Sequence, residues 1–149
     1  MRLVVQKVSQ SNVKIDGDVV GKIDQGFMVL VGITNDDNEK IVDKMVDKLI
    51  NLRIFEDENE KLNLSLLDVK GSILSISQFT LYANCRKGRR PSFLDAAKPE
   101  ISKPLYEYFN QKLVEKGIPV ETGVFGAMME VSLINDGPVT IILDSKELF

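Results

Sequence analysis

Five consecutive apolar residues, Phe27-Met28-Val29-Leu30-Val31, decide the fold predicted for this chain. A strand without a polar position has both faces covered, so this stretch is predicted to be the central strand of a sheet. Before it, Leu3–Val8 and Asn12–Ile15 have the apolar, β-branched composition of strands. The pair Asp16-Gly17 is a strong hairpin signal that leads into a further strand, Val19–Ile23. The amino-terminal quarter is therefore predicted to be a meander of strands.

After the central strand, hydrophobic residues recur at helical spacing. The stripe consists of Ile41, Val42, Met45, Val46, Leu49 and Ile50. Thr34 or Asn35 is predicted to cap this helix. The acidic residues Asp36, Asp37 and Glu39 would then stand at the positive end of the helix dipole, where negative charge is favourable. The stripe indicates a helix face that packs on the core, not a cofactor site.

The rest of the chain predicts a second long strand, a second helix and a final group of strands. Ser72–Leu81 is predicted to be a strand, and a helix is predicted from near Pro99 or Pro104 to Lys116, closed by a glycine. The last strands are predicted at Val120–Thr122, Met129–Ile134 and Val139–Leu143. This order indicates a single α/β or α+β domain over residues 1–149, with a largely antiparallel, barrel-like sheet and two main helices.

The composition excludes several kinds of chemistry. The 149 residues include no histidine, so an imidazole base, a Ser-His-Asp triad and a histidine-ligated metal are all excluded. Cys85 is the only cysteine, which is typical of a reducing compartment. The acidic group at 56–60 (Glu56, Asp57, Glu58 and Glu60) is interpreted as a solvated loop, so we expect no metal and no cofactor.

Length, charge and hydropathy also limit location and partners. No segment has the pattern of a signal peptide or of a membrane span, so we expect a cytoplasmic protein without a membrane partner. The net charge of −3 argues against non-specific DNA binding. Any contact with nucleic acid must therefore come from a local patch. The loop at 84–92 supplies such a patch, with the cations Arg86, Lys87, Arg89 and Arg90.

Two segments interrupt the strand pattern with polar or turn-forming residues. The segment Ser77-Gln78-Phe79-Thr80-Leu81 presents hydroxyls and an amide that can bind a carbonyl oxygen or orient a water, although the same groups can serve nearby backbone. The segment Asn135-Asp136-Gly137-Pro138-Val139-Thr140 places proline between two strand-like runs, where a turn or bulge is the simplest interpretation.

Together these two motifs resemble the D-aminoacyl-tRNA deacylase family, also called D-tyrosyl-tRNA deacylase. The basic loop ending in Arg90-Pro91-Ser92-Phe93 and the approach Thr122-Gly123-x-Phe125 fit the same family, so the resemblance runs end to end. A related family shares the fold and differs at these motifs. The intact SQFTL and GPVT sequences favour the D-specific branch.

The resemblance implies a homodimer that hydrolyses the ester between a D-amino acid and the terminal adenosine of tRNA, a chirality proofreading step in translation. Gln78, Phe79 and Thr80 would form the catalytic pocket, with Ser77 beside them. Gly137 and Pro138, joined by a cis bond, would enter the neighbouring subunit's pocket. There they would crowd an L side chain, while a glycyl ester, which has no side chain, would be accepted.

Other site assignments stay open at this level. Phe125 and Met129, with Met128, would pack on the terminal adenine or belong to the core. Arg86, Lys87, Arg89 and Arg90 would contact tRNA phosphates or form a solvated loop. A water held by the substrate's ribose hydroxyl is the expected nucleophile, with the oxyanion bound by N–H groups near Phe79 and Thr80. A covalent Thr80 is the alternative mechanism.

Two other classes of function remain alternatives. A noncatalytic RNA-binding module would keep the basic loop without turnover. A hydrolase of small D-amino acid esters would ignore RNA.

Overall fold

The computed structural model describes residues 1–149 and contains eight strands, three α-helices and one 3₁₀ turn. The strands are β1 (Arg2–Ile15), β2 (Asp18–Ile23), β3 (Gly26–Gly32), β4 (Phe55–Glu56), β5 (Leu62–Leu64), β6 (Ser72–Ser77), β7 (Val120–Thr122) and β8 (Glu130–Asp144). The helices are α1 (Glu39–Ile50), α2 (Pro99–Glu115) and α3 (Ser145–Leu148), and the 3₁₀ turn spans Phe79–Tyr82. None of the helices is long and apolar enough to cross a membrane.

Strand β3 lies inside the main sheet, between β1 and β6, which confirms the central position predicted for it. Strand β1 pairs antiparallel with β2, β3 and β8, while β6 pairs parallel with β3 and with β7. The sheet nearly closes into a barrel where β2 approaches β7. A Cβ atom added to Gly21 would stand 2.8 Å from the carbonyl oxygen of Thr122, so only glycine allows this approach.

The sheet has a hydrophobic cluster on each face. The larger cluster joins β1, β3 and the end of β8 to α1 and α2, with Phe27, Met45 and Phe109 among its fully buried side chains. The smaller cluster lies inside the curve of the sheet and includes Val13 and Leu74. The stripe predicted on α1 does face the core.

Several boundaries differ from the prediction, and the runs predicted at Leu3–Val8 and Asn12–Ile15 form one strand, β1. Asn38, not Thr34 or Asn35, caps α1, because its side chain accepts a hydrogen bond from the Ile41 N–H. Strand β6 ends at Ser77 instead of Leu81, since the chain turns there into the 3₁₀ segment. The strands predicted before and after Gly137-Pro138 are two parts of one strand, β8, with a loop between them.

Candidate active site

The SQFTL motif forms a sharp turn at the end of β6. The Gln78 N–H donates to the Val31 carbonyl oxygen at 2.8 Å, which holds the first residue after β6 against β3. The 3₁₀ turn then begins, and its first backbone hydrogen bond runs from the Leu81 N–H to the Gln78 carbonyl oxygen. The N–H groups of Phe79 and Thr80 precede that donor and have no acceptor within the turn. Two neighbouring backbone donors are thus available to a ligand.

The side chains of the motif leave Thr80 without a base. The Gln78 Nε2 donates a hydrogen bond to the Thr80 Oγ1, so the hydroxyl oxygen acts as an acceptor. Thr80 is exposed, and no carboxylate or amine contacts its hydroxyl. Phe79 is 56% exposed and packs edge-to-face on Phe93, with 5.1 Å between the ring centroids.

A pocket of about 640 Å³ opens beside this turn. It lies between the turn, the start of α2 and the segment between β7 and β8. Five of the site residues predicted from the sequence line this pocket: Ser77, Gln78, Phe79, Phe125 and Met129. Most of the other lining residues are apolar, including Phe93, Pro99, Tyr106 and Met128. Thr80 does not line the pocket, but it is hydrogen-bonded to Gln78, which does. The lining suits a planar or apolar group more than a highly charged one.

Tyr106 and Met128 have different relations to this pocket. The Tyr106 hydroxyl donates to the Ser75 carbonyl oxygen at 2.8 Å, and burial raises the pKa of this phenol. The Tyr106 side chain is therefore an uncharged part of the pocket lining, held in place by this hydrogen bond. Met128 is 91% exposed although it lines the pocket. The sequence pattern of α2 did not single out Tyr106.

The Gly137-Pro138 segment protrudes from the edge of the sheet. Gln6 pairs with Thr140 and Val8 pairs with Asn135, so one residue of β1 faces four residues of β8 between these pairs. Those four residues leave the ladder as a loop, in which the Gly137–Pro138 bond is cis, as the family resemblance implies. Gly137 and Pro138 are exposed and do not line the pocket of their own chain.

Asn135 closes this loop. Its Oδ1 accepts from the Val139 N–H at 2.7 Å, and its Nδ2 donates to the Val139 carbonyl oxygen at 3.2 Å and to the Thr140 Oγ1 at 3.1 Å. One side chain therefore bridges the base of the loop. The motif was noticed in the sequence, but this role of its first residue was not.

The basic loop is closed by a short antiparallel bridge between Asn84 and Ser92, with backbone hydrogen bonds of 2.8 and 2.9 Å. All four predicted cations are exposed and none forms a salt bridge: Arg86, Lys87, Arg89 and Arg90. The loop returns directly to Phe93, which touches Phe79. Free positive charge therefore stands beside the pocket.

Groups that could hold a metal ion are not gathered anywhere in the structure. In the acidic segment the Asp57 carboxylate accepts hydrogen bonds from the N–H groups of Lys61 and Asn59, which lower the pKa of Asp57. This carboxylate stabilises the β4–β5 hairpin turn.

Comparison with known proteins agrees with the resemblance in the motifs. The family model described as D-Tyr-tRNA(Tyr) deacylase matches residues 4–144. D-aminoacyl-tRNA deacylases from Bacillus pumilus and Thermus aquaticus are 63% and 59% identical to this chain, each over 99% of it and over 100% and 97% of their own lengths.

Two solved structures have the same fold. One, titled c-Myc DNA Unwinding Element Binding Protein, has a TM-score of 0.91 at 40% identity and covers 97% of this chain and 98% of its own. The other, described as a probable eukaryotic D-amino acid tRNA deacylase, has a TM-score of 0.81 at 20% identity over 95% and 97% of the two chains, a likeness of fold alone. From the family model and the curated relatives, this chain belongs to the D-Tyr-tRNA(Tyr) deacylase family.

Proposed function

We propose that this enzyme removes D-amino acids, and also glycine, from tRNA by hydrolysing the aminoacyl ester at the Ser77–Thr80 turn. The observation that carries the proposal is the pair of backbone N–H groups at Phe79 and Thr80, unbonded within their turn and next to an apolar pocket. Such donors, fixed before the reaction, stabilise the oxyanion that forms when the ester carbonyl is attacked.

The attacking group is a water molecule. An aminoacyl ester is already activated, and the ribose hydroxyl beside it in the substrate can orient the water, so the chain needs no histidine. Thr80 is less suited to attack, because its hydroxyl accepts a hydrogen bond from Gln78 and contacts no base. Gln78 and Thr80 therefore orient substrate groups around the donors.

The Gly137-Pro138 loop acts in the pocket of a second copy of the chain. Its exposure, and its absence from the pocket of its own chain, support this arrangement. A homodimer would then have two shared sites, each with a turn from one subunit and a loop from the other. The main chain of the loop would collide with an L side chain, so selection works by rejection and not by affinity for a D side chain.

The exposed cations of the basic loop would hold the phosphates near the acceptor end of the tRNA. This contact is independent of sequence and would place the ester over the turn, because the loop joins the turn through Phe93 and Phe79. The terminal adenine would pack in the apolar pocket against Phe125 and Met129. The substrate is present where translation occurs, so we place the enzyme in the cytoplasm, with a role in proofreading.

The proposal is tested by the loss of ester from D-tyrosyl-, glycyl- and L-tyrosyl-tRNA with one enzyme preparation. We expect the first two to be cleaved and the third to be spared, since glycine has no side chain to collide with the loop. If glycine is spared as fully as L-tyrosine, the pocket recognises the D side chain directly and the rejection model is wrong.

The same experiment, with D-tyrosine methyl ester as a fourth substrate, separates the alternative functions. An RNA-binding module would bind all three tRNAs and cleave none. A hydrolase of small esters would cleave D-tyrosine methyl ester as readily as D-tyrosyl-tRNA.

A further inference from the structure

Arg2 reaches from β1 to the turn that carries the SQFTL motif. Its Nη1 donates a hydrogen bond of 2.7 Å to the Leu81 carbonyl oxygen, within the turn. On its other edge, Nε and Nη2 contact the Asp144 Oδ2 at 2.9 and 2.8 Å. The guanidinium also lies over the Tyr82 ring, 4.9 Å from its centroid. One side chain thus connects the first strand, the last strand and the turn.

Asp144 is itself held in place. It is the residue paired with Arg2 in the β1–β8 ladder, and its Oδ1 accepts from the Lys146 N–H at 3.0 Å. Its side chain is only 8% exposed. Burial opposes its ionisation, but the hydrogen bonds from the Lys146 N–H and from Arg2 outweigh it and lower the pKa of this carboxyl group. The Asp144 carboxylate that binds Arg2 is therefore ionised and held in a fixed position.

Only arginine can make these contacts together. Its planar guanidinium carries five N–H donors and can bind a carboxylate along one edge while another N–H reaches a carbonyl oxygen. Lysine could pair with Asp144 but could not span to the Leu81 carbonyl with the same geometry. Without that bond the far end of the turn would lose its link to β1.

The turn is too short for a change at one end to stay there. It has four residues, so the Leu81 carbonyl is separated from the Thr80 N–H by one residue and from the Phe79 N–H by two. The Leu81 N–H also donates to the Gln78 carbonyl oxygen at 3.3 Å, and that carbonyl belongs to the same peptide unit as the Phe79 N–H, so a displacement of Leu81 is passed to the start of the turn. A small misdirection of oxyanion donors lowers the rate of the chemical step more than it weakens binding.

We infer that Arg2, clamped by Asp144, is a positioning residue that aims the Phe79 and Thr80 N–H groups at the reacting carbonyl. This rests on the proposed function, which places the oxyanion at those two groups. Arg2 does not line the pocket and would act through the turn.

The test uses Arg2→Lys and Arg2→Met in the full chain, with Arg53→Met as the matched control. Arg53 also donates through Nε to a main-chain carbonyl, that of Asn63 at 2.9 Å, but in the β4–β5 hairpin. Steady-state kcat and KM are measured with D-tyrosyl-tRNA, at a temperature where circular dichroism shows every variant folded.

We expect kcat to fall about 10- to 100-fold in both Arg2 variants while KM changes by less than about threefold. The Arg53 variant should match the unchanged protein. A second measurement, the ¹⁵N–¹H signals of Phe79 and Thr80, should show both shifted in Arg2→Lys and unmoved in Arg53→Met. A merely structural role would lower the melting temperature and leave kcat and these signals as they are.

The inference is wrong if folded Arg2 variants keep kcat within about twofold of the unchanged protein, or if kcat falls while both amide signals stay in place. If Arg2→Met does not fold, Arg2→Lys and Asp144→Asn decide in the same way. Failure of the unchanged protein to cleave D-tyrosyl-tRNA would instead contradict the proposed function. The amide signals would still report whether Arg2 sets the turn.

Discussion

At the scale of single residues, Thr80 and Gln78 distinguish the two mechanisms. The hydrogen bond from Gln78 makes the Thr80 oxygen an acceptor, and a hydroxyl without a base is a weak nucleophile. On the proposed function, the same pair would hold a water or the ribose hydroxyl of the substrate. The two mechanisms therefore predict different losses of kcat when the Thr80 hydroxyl is removed.

Thr80→Ala should lower kcat by roughly 10- to 1000-fold, because a positioning hydroxyl is lost while the backbone donors remain. Thr80→Ser, which keeps the hydroxyl, is the control and should retain most of the activity. Rapid quench with D-tyrosyl-tRNA gives the rate, and mass spectrometry gives the state of the enzyme. An acyl-threonine adduct would establish the covalent mechanism instead.

The residues that sequence patterns did not identify are those whose partners are far away in the chain. Arg2 meets Leu81 across 79 positions, and no local pattern links the two. Gln78 and Thr80 could be noticed because their spacing breaks a strand pattern locally. Tyr106 gave no signal either, since its hydroxyl bonds to the backbone of a different element, at Ser75.

At the scale of elements, the basic loop and the β8 loop are both closed at their base and exposed at their tip. The basic loop is closed by backbone hydrogen bonds between Asn84 and Ser92. The β8 loop is closed by the side chain of Asn135. Substitutions at the tip of the first loop and at the base of the second should therefore act on different steps.

Arg89→Ala with Arg90→Ala should raise KM for tRNA and flatten its dependence on salt, since each phosphate contact contributes to that slope. The matched control is Lys40→Ala with Lys48→Ala, which removes the same charge from exposed positions of α1. KM and kcat are measured between low and moderate salt. An unchanged slope in the arginine variant would mean that the basic loop does not contact phosphate.

Asn135→Ala should leave the Val139 N–H and carbonyl oxygen without their partner, which costs about 0.5–1.5 kcal/mol of folding free energy per hydrogen bond. Activity should fall much further than stability, because the loop loses its shape. Asn135→Asp keeps the acceptor for the Val139 N–H, so its activity and stability should lie between those of the unchanged protein and of Asn135→Ala. Urea unfolding and D-tyrosyl-tRNA cleavage are compared; equal small losses in both would contradict this role.

At the scale of the whole molecule, the sequence predicted the central strand, the two main helices and the general strand order. It could not predict that β1 pairs with three other strands, because pairing between distant segments depends on the curvature of the sheet. It also divided β8 at Pro138, since proline is rarely found inside a strand. The β1–β8 ladder continues on both sides of Pro138 because the loop removes this proline from the paired residues.

A dimer with shared sites should show complementation between two inactive forms. One form carries Gln78→Ala with Thr80→Ala, and the other carries Asn135→Ala. Refolding them together gives heterodimers with one intact turn facing one intact loop, so activity should return to about a quarter of the unchanged level for a random mixture. Mixtures that stay inactive, or a fully active monomer by sedimentation, would contradict the shared site.

The β8 loop is separable from the sheet that carries it. Removal of Asp136, Gly137 and Pro138 would place Val139 opposite Lys7 and keep Thr140 opposite Gln6, so the β1–β8 ladder would run without interruption from Arg2 to Val8, with only its second irregularity, between Val8 and Gln10, remaining. The loop thus has the form of a three-residue insertion in a strand that is complete without it. On the proposed function, the discrimination between mirror-image esters would therefore reside entirely in this short insertion.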